Sequence, residues 1–363
     1  MSHKTVVVVG GGVIGLSVAW RLARDHDVTL VDPTPARGAS WVAGGMLAPV
    51  TEAWPGEEEL LDLGGASLAQ WPEFAADLGI DLQTSGTVVA AVDGADAAQL
   101  DIVADFLARQ GRAVDRLSAR ELRRVEPVIG PGVRSGLLVP GDLAVDNREL
   151  LRRLTAAAYE AGVEFLREPV RAVGAGSVEL AGGAVRCDLA VIAAGAWSSA
   201  LHPGLTSAVR PVKGEILRLR ARQGALPPPT HTIRALVESK PVYLVPRAGD
   251  ELVVGATQYE AGFDDEVTAG GVRDLLTYAE RVMPGIAEYG LTECSAGLRA
   301  GSRDNLPLIG ELEPGVLVAA GHHRNGLLLA PITAAAVCAM AAGVAIPAVV
   351  RAAHPARLWQ TTR

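Results

Sequence analysis

The chain has 363 residues, 49% of them hydrophobic, 20% charged and 4% aromatic. It is longer than one ordinary domain of roughly 150 residues and apolar enough to bury a large core, which excludes a peptide scaffold and a disordered chain. A formal net charge of -8 offers no basic surface for nucleic acid or anionic lipid, so neither is expected as a partner.

Residues 5–9 (TVVVV) are an unbroken β-branched run, followed by Gly10, Gly11 and Gly12 and then by helical spacing of apolar positions from Val13 to Arg24. Strand, tight turn and helix are predicted. Val28–Val31 is a second short run ending in Asp32, so residues 5–32 read as one βαβ unit with parallel strands. Four valines are too few for a secretory h-region, and a cytoplasmic protein is expected. Cys187, Cys294 and Cys338 lack CxxC or Cys/His spacing and read as reduced thiols.

Further along, Gly86–Val92, Val209–Leu219, Val242–Val245 and Glu251–Ala256 read as strands, with helices at Ala97–Gln110 and Thr268–Val282. A mixed, mainly antiparallel sheet fits this texture. Gly130–Gly132 and Pro227–Pro229 read as surface loops within it. Two more apolar runs, Leu189–Ala193 and Gly315–Ala320, end in Gly195 and Gly321.

Three strand-then-glycine junctions so far apart predict a nucleotide-binding domain in three pieces with a substrate domain inserted twice. The expected division is 1–85, 145–209 and 290–363 for the nucleotide domain, and 86–144 and 210–289 for the substrate domain. The fold class is α/β, a Rossmann-like domain with a parallel sheet beside a mainly antiparallel one. Asn325–Val350 carries no charge, but Pro331 and Pro347 interrupt it. The stretch between them, Ile332–Ile346, falls short of the roughly 20 residues a bilayer span needs, so it reads as a buried helix.

Gly10-Gly11-Gly12-Val13-Ile14-Gly15 fits G-x-G-x-x-G between strand and helix, with Asp32 seventeen positions beyond Gly15. These glycines allow a tight turn, close approach of backbone to a pyrophosphate and close helix packing, while the helix N-terminus favours the anion. Asp32 is placed to accept from ribose hydroxyls. The dispersal of the domain's pieces favours FAD over a nicotinamide cofactor. Gly321-His322-His323-Arg324-Asn325-Gly326-Leu327-Leu328 lies between a strand and a helix beginning near Pro331, a favourable helix-start residue. The two histidines have no carboxylate or cysteine at ligand spacing, so no metal is expected. Taken alone, Arg299, just after an expected strand, and Tyr243, in Val242–Val245, read as a surface arginine and a core tyrosine.

Six groups of residues together carry a resemblance: VVVVGGGVIGLSVAWRLA at 6–23, GASWVAGGMLAP at 38–49, AVIAAGAWSSAL at 190–201, RPVKGEIL at 210–217, VYLVPR at 242–247, and AGLRAGSRDNLPLIG with GHHRNGLLLAPIT at 296–310 and 321–333. The chain resembles the D-amino-acid oxidase and sarcosine oxidase superfamily of flavoproteins over essentially its whole length, and its last two motifs resemble the glycine oxidases of thiamine biosynthesis.

The resemblance implies that Gly10, Gly12, Gly15, Val13 and Ile14 form the pyrophosphate turn and that Asp32 and Pro33 meet the adenosine ribose. Ala39, Ser40, Gly44, Gly45 and Met46 would run along the pyrophosphate and flavin ring, with the two glycines allowing close approach. Val170 would touch adenine. His322, His323, Arg324, Asn325, Gly326, Leu327 and Leu328 would bring backbone N–H groups and a positive helix end to the flavin pyrimidine edge, where charge develops on hydride acceptance.

By the same resemblance Arg299 would bind the substrate carboxylate bidentately, Tyr243 would assist, and Arg324 would be a second nearby cation. Lys213 resembles a family lysine near the sheet junction, with a structural ion pair as its alternative.

Sarcosine oxidases tether FAD to a cysteine, and the matching place near Gly297 has none, Cys294 being three residues away; FAD is expected to be noncovalent. Arg299-Ala300 stands where arginine-proline is more common. The implied activity is FAD-dependent oxidation of glycine and small amines such as sarcosine or D-alanine by oxygen, in a homo-oligomer, a tetramer by resemblance. A D-amino-acid dehydrogenase passing electrons to a quinone or carrier, and a noncatalytic flavin-binding subunit, are the alternatives. A tRNA-modifying flavoprotein fits poorly with so acidic a chain.

Overall fold

Val6, Val7, Val8 and Val9 are all buried on both faces of strand β1 (Thr5–Val9), which explains their unbroken apolar run. Each contributes roughly 1.5–3 kcal/mol of burial, and a charge at Val8 would break the sheet at its centre. The protein is described here from a computed structural model covering residues 3–358. Helix α1 (Val13–Leu22) follows the glycine turn, and strand β2 (Asp27–Val31) returns parallel to β1, as expected of a βαβ unit.

Six strands make the first sheet, in the order Leu308–Glu313, Val316–Ala320, Leu189–Ile192, β1, β2, Glu164–Leu166. All pairs are parallel except that between Leu308–Glu313 and Val316–Ala320. The three strand-then-glycine junctions therefore sit side by side at the carboxyl ends of adjacent strands. β2 lies on one side of β1 and Leu189–Ile192 on the other, and this reversal of strand order is where α/β sheets open a crevice. The outermost parallel strand, Glu164–Leu166, escapes a reading of apolar runs because it has only three residues. It follows helix Asn147–Glu160, whose N-terminus is capped by Asp146.

The second large sheet has eight strands, ordered 290–301, 210–220, 251–255, 240–247, 232–237, 87–91, 135–139, 115–118. It is antiparallel apart from Thr87–Ala91 beside Thr232–Val237. Strand Gly290–Gly301, grouped by sequence with the nucleotide-binding pieces, pairs here along Arg210–Arg220. Its sequence, GLTECSAGLRAG, has no apolar run, since its neighbours and not its own side chains supply the cover. Arg299 thus lies within a strand, opposite Val212, and not just after one.

The uncharged C-terminal stretch forms helix Ala330–Ala341, shorter than the expected 332–346 and ended by Gly343 in the left-handed region. It packs against α1 in the core, and no helix among the described residues is long and apolar enough to cross a membrane. The loops at 130–132 and 227–229 are not wholly at the surface, because Gly130 is buried against Pro284, and Pro229 is buried as well. Cys187, Cys294 and Cys338 are free.

Candidate active site

The glycine turn is shaped by what a side chain would strike. A Cβ on Gly10, whose φ is +107°, would fall 2.4 Å from the Ala193 carbonyl oxygen on the next strand. A Cβ on Gly15 would overlap the Gly10 carbonyl oxygen at 1.8 Å, so Gly15 seats α1 under the turn and does not itself line the cleft. Asp32 holds the turn from the other side. Its Oδ2 accepts from the Gly11 N–H at 2.6 Å and its Oδ1 from Thr34 N–H at 2.7 Å, which leaves further lone pairs on both oxygens for a ribose. Ser40 Oγ accepts from the N–H of Val13 at 3.0 Å, fixing the N-terminus of α1.

Above these residues opens a cleft of about 420 Å³. Gly10, Gly12, Val13, Ile14, Asp32, Pro33, Ala39, Ser40, Val170, His322, His323 and Gly326 all line it. A dinucleotide fits this donor set: a glycine turn packed too tightly at Gly10, Gly11 and Gly15 for a Cβ, a ten-residue helix pointing its positive end into the cleft with no acid in its first turn, and a carboxylate beyond it.

A smaller cavity of about 130 Å³ shares Val13, Ala39, Ser40, Arg299, His323 and Gly326 with the cleft. Gly44, Gly45, Met46, Tyr243, Arg324, Asn325 and Leu327 line it too. Leu328 joins neither space. It is buried in the core, where its carbonyl accepts from Ser67 Oγ and from Trp71 Nε1.

The large sheet supplies this cavity's floor by register. Arg234, Tyr243, Gly255 and Ile216 stand in one row across four adjacent strands, with Gly214 and Gly297 paired one pleat further along. Two glycines in the sheet make room for the two candidate substrate-binding side chains. A Cβ on Gly214 would lie 2.1 Å from Arg299 Nη1, and one on Gly255 would lie 2.3 Å from Tyr243 Cζ.

Arg299 Nη1 donates to the Thr257 carbonyl at 3.2 Å and the guanidinium faces the Tyr243 hydroxyl. Burial lowers the pKa of Arg299, with the nearby Arg324 adding to the effect and Tyr243 opposing it. Burial raises the pKa of Tyr243, against the pull of Arg299, Arg234 and Arg247, so the phenol keeps its proton at neutral pH.

Gly44 and Gly45 line the cavity and also make room within the protein. The space where their side chains would stand is filled by the Tyr243 ring and the Arg247 guanidinium, with Cβ positions 2.7 Å from Tyr243 Cε2 and 2.2 Å from Arg247 Nη2. Close approach is needed there for the protein's own side chains. Lys213, on the opposite face of its strand from Gly214, is buried and donates from Nζ to Asp264 at 2.8 Å, the ion-pair alternative.

The 321–328 turn also departs from expectation. A 3-10 turn, His323–Asn325, intervenes between strand and helix, and it is this turn rather than the helix start that lines the cavity. His322 is buried with Nε2 3.0 Å from Thr333 Oγ1, and burial pushes its pKa down to about 3. His323 is also pushed to about 3, by burial first and then by Arg324, Arg299 and Arg210. Both rings are neutral near pH 7. Among the described residues no group of three or more His, Cys, Asp or Glu side chains is placed to hold a metal.

Cys294 stands three residues from Gly297 in a regularly paired stretch, so it faces away from the cavity that Gly297 lines. The sequence reading missed Glu52. It is buried in the loop before helix Glu58–Leu68, lines the cavity, and pairs with Arg234 and with Arg324 Nε at 2.8 Å. In sequence it is one of four acids between 52 and 59 and looks like part of a solvated loop.

A family model described as FAD dependent oxidoreductase matches residues 5–340. A glycine oxidase of Geobacillus kaustophilus is 35% identical over 353 residues, covering 92% of each chain. A bifunctional protein ThiO/ThiG of a Nostoc species is 32% identical over 361 residues, 92% of this chain and 52% of that protein, so this chain spans about half its length. The crystal structure of glycine oxidase from Geobacillus kaustophilus superposes with a TM-score of 0.89 at 32% identity, covering 98% of each chain.

Proposed function

The chain belongs to the FAD-dependent oxidoreductase family, and from that premise we propose that it oxidises glycine and other small amines such as sarcosine and D-alanine with oxygen as acceptor. The observation that carries the reading is the pairing of Arg299 with Tyr243 in a small cavity opening from the dinucleotide cleft. Among the described residues Arg299 bonds only neutral groups, the Thr257 carbonyl and the Tyr243 phenol, so its charge is left for a substrate carboxylate.

Gly10, Gly12, Val13, Ile14, Asp32, Pro33, Ala39, Ser40 and Val170 would hold the FAD, whose ring supplies a two-electron acceptor for a hydride. Arg299 takes the amino-acid carboxylate in its planar fork and Tyr243 donates its hydroxyl, which aims the Cα–H toward the cleft shared with Ala39, Ser40 and His323. Oxidation of a neutral amine by hydride loss needs this positioning and no dedicated base. A cavity of about 130 Å³, walled by Gly44, Met46 and Leu327 among others, leaves room for few side-chain atoms. The balance is glycine plus oxygen plus water to glyoxylate, ammonia and hydrogen peroxide. A place in forming the thiazole of thiamine is supported by the likeness to ThiO/ThiG. The substrate domain is read as 86–144 and 210–289, extended by the strand to Gly301.

Anaerobic mixing of the yellow protein with glycine, sarcosine and D-alanine, followed by air, tests this. Bleaching by glycine with recolouring and peroxide release in air is expected. Bleaching that persists in air would replace the oxidase with a dehydrogenase, and no bleaching by any amine would overturn the reading.

A further inference from the structure

Two arginines, Arg299 and Arg324, line the smaller cavity, and Arg234 stands behind it against Glu52. Glu52 Oε1 pairs with Arg234, its Oε2 with Arg324 Nε at 2.8 Å, and its backbone carbonyl accepts from Arg324 Nη2 at 3.3 Å. Glu57 Oε2 adds a weaker contact to Arg324 Nη2 at 3.6 Å while its Oε1 accepts from Asn305. Arg299, by contrast, has no carboxylate partner among the described residues. Of the two guanidinium groups that line the cavity, Arg324 is paired with Glu52 and Arg299 is left to meet a ligand.

We infer that Glu52 is a specificity-determining residue. By occupying Arg234 and Arg324 it restricts the site to ligands with a single carboxylate and repels a second anionic group on the substrate. The inference deepens the proposed function and rests on its reading of the cavity as the place where the substrate carboxylate binds. A second carboxylate on a ligand held by Arg299 would find Arg324 already paired and the Glu52 carboxylate in the same lining, and like charges in a buried site are costly. Without the Glu52 charge, Arg324 would become a second anion-binding fork in the same cavity.

Ligands that cannot be oxidised separate this from turnover. Binding of acetate and of malonate to the FAD-loaded protein is read from the change in flavin absorbance. The wild type is expected to bind malonate no more tightly than acetate. Glu52→Gln is expected to shift the malonate-to-acetate affinity ratio at least about tenfold toward malonate, with kcat/KM moving from glycine toward D-aspartate or iminodiacetate. Glu52→Asp, which keeps the charge, is expected to keep the wild-type preference. A wild type that already prefers malonate would overturn the inference without any variant, as would an unchanged ratio in a folded Glu52→Gln protein. If glycine bleaches the flavin but the ratio does not move, the proposed oxidase stands and the inference falls. If the ratio moves but no amine bleaches the flavin, the single-anion site stands and the oxidase reading falls.

Discussion

Gly214 and Arg299 sit on neighbouring strands so close that a single methyl group on Gly214 would lie 2.1 Å from one guanidinium nitrogen and 2.4 Å from Cζ. The guanidinium is the free end of a flexible side chain, so it would swing aside and leave the sheet intact. Gly214→Ala is therefore expected to raise KM for glycine about 10- to 100-fold while FAD content and Tm change little. Steady-state kinetics beside the flavin-to-protein absorbance ratio checks this, and loss of flavin with unchanged KM would contradict it.

Arg299→Ala removes the charge itself. KM for glycine is expected to rise roughly 10²- to 10³-fold, or about 3–4 kcal/mol of lost binding, with FAD still bound. Tyr243→Phe takes away one hydrogen bond, and a KM rise of about 3- to 10-fold is expected. Equal losses in both variants would show that the two side chains act as one unit.

Gly10 gives the opposite outcome to Gly214. Its φ of +107° and the rigid Ala193 carbonyl at 2.4 Å from a would-be Cβ leave nothing able to yield. Gly10→Ala is expected to yield protein with little or no bound flavin and a lower Tm, measured by absorbance and thermal unfolding.

Asp142 is buried beside Thr51, and burial pushes its carboxyl up to about 7 from an ordinary 3.8. The folded chain thus holds this proton where the unfolded chain has released it, so stability falls as pH rises from about 4 to 7 and levels off above. The shift corresponds to a cost on the order of 4 kcal/mol at pH 8. Asp142→Asn is expected to flatten this segment of the stability curve and raise Tm at pH 8, as followed by denaturant titration across pH.

Noncovalent FAD is the expectation, since Cys294 faces away from Gly297 and its cavity. Acid precipitation is expected to leave yellow supernatant and a colourless pellet, in wild type and Cys294→Ser alike. Flavin remaining with the pellet would refute it.

How much of this was legible depends on whether a role is local. The Gly10–Gly15 turn and Asp32 were readable because strand, turn and helix adjoin in sequence, and the structure brings all of them but Gly15 to the cleft. Arg299 and Tyr243 carried no signal of their own, being single residues in strands, and entered only through resemblance. Gly214, Gly255 and Thr257 act through cross-strand register, which no local pattern reports. Glu52 hid among neighbouring acids because its burial comes from Arg234 and Arg324, 182 and 272 residues away. The packing of Tyr243 and Arg247 against Gly44 and Gly45 likewise joins residues some 200 positions apart, beyond any local pattern.

The central position of β1 also sets an order of events on the ribosome. Val6 emerges early, yet its register partner Leu189 is 183 residues later, and the strand beyond that ends at Ala320. At about 5–20 residues per second, β1 waits roughly 10–40 s with one edge unpaired. Four consecutive valines on an open strand edge invite pairing with other chains, and that hazard lasts until the middle of the protein has been made.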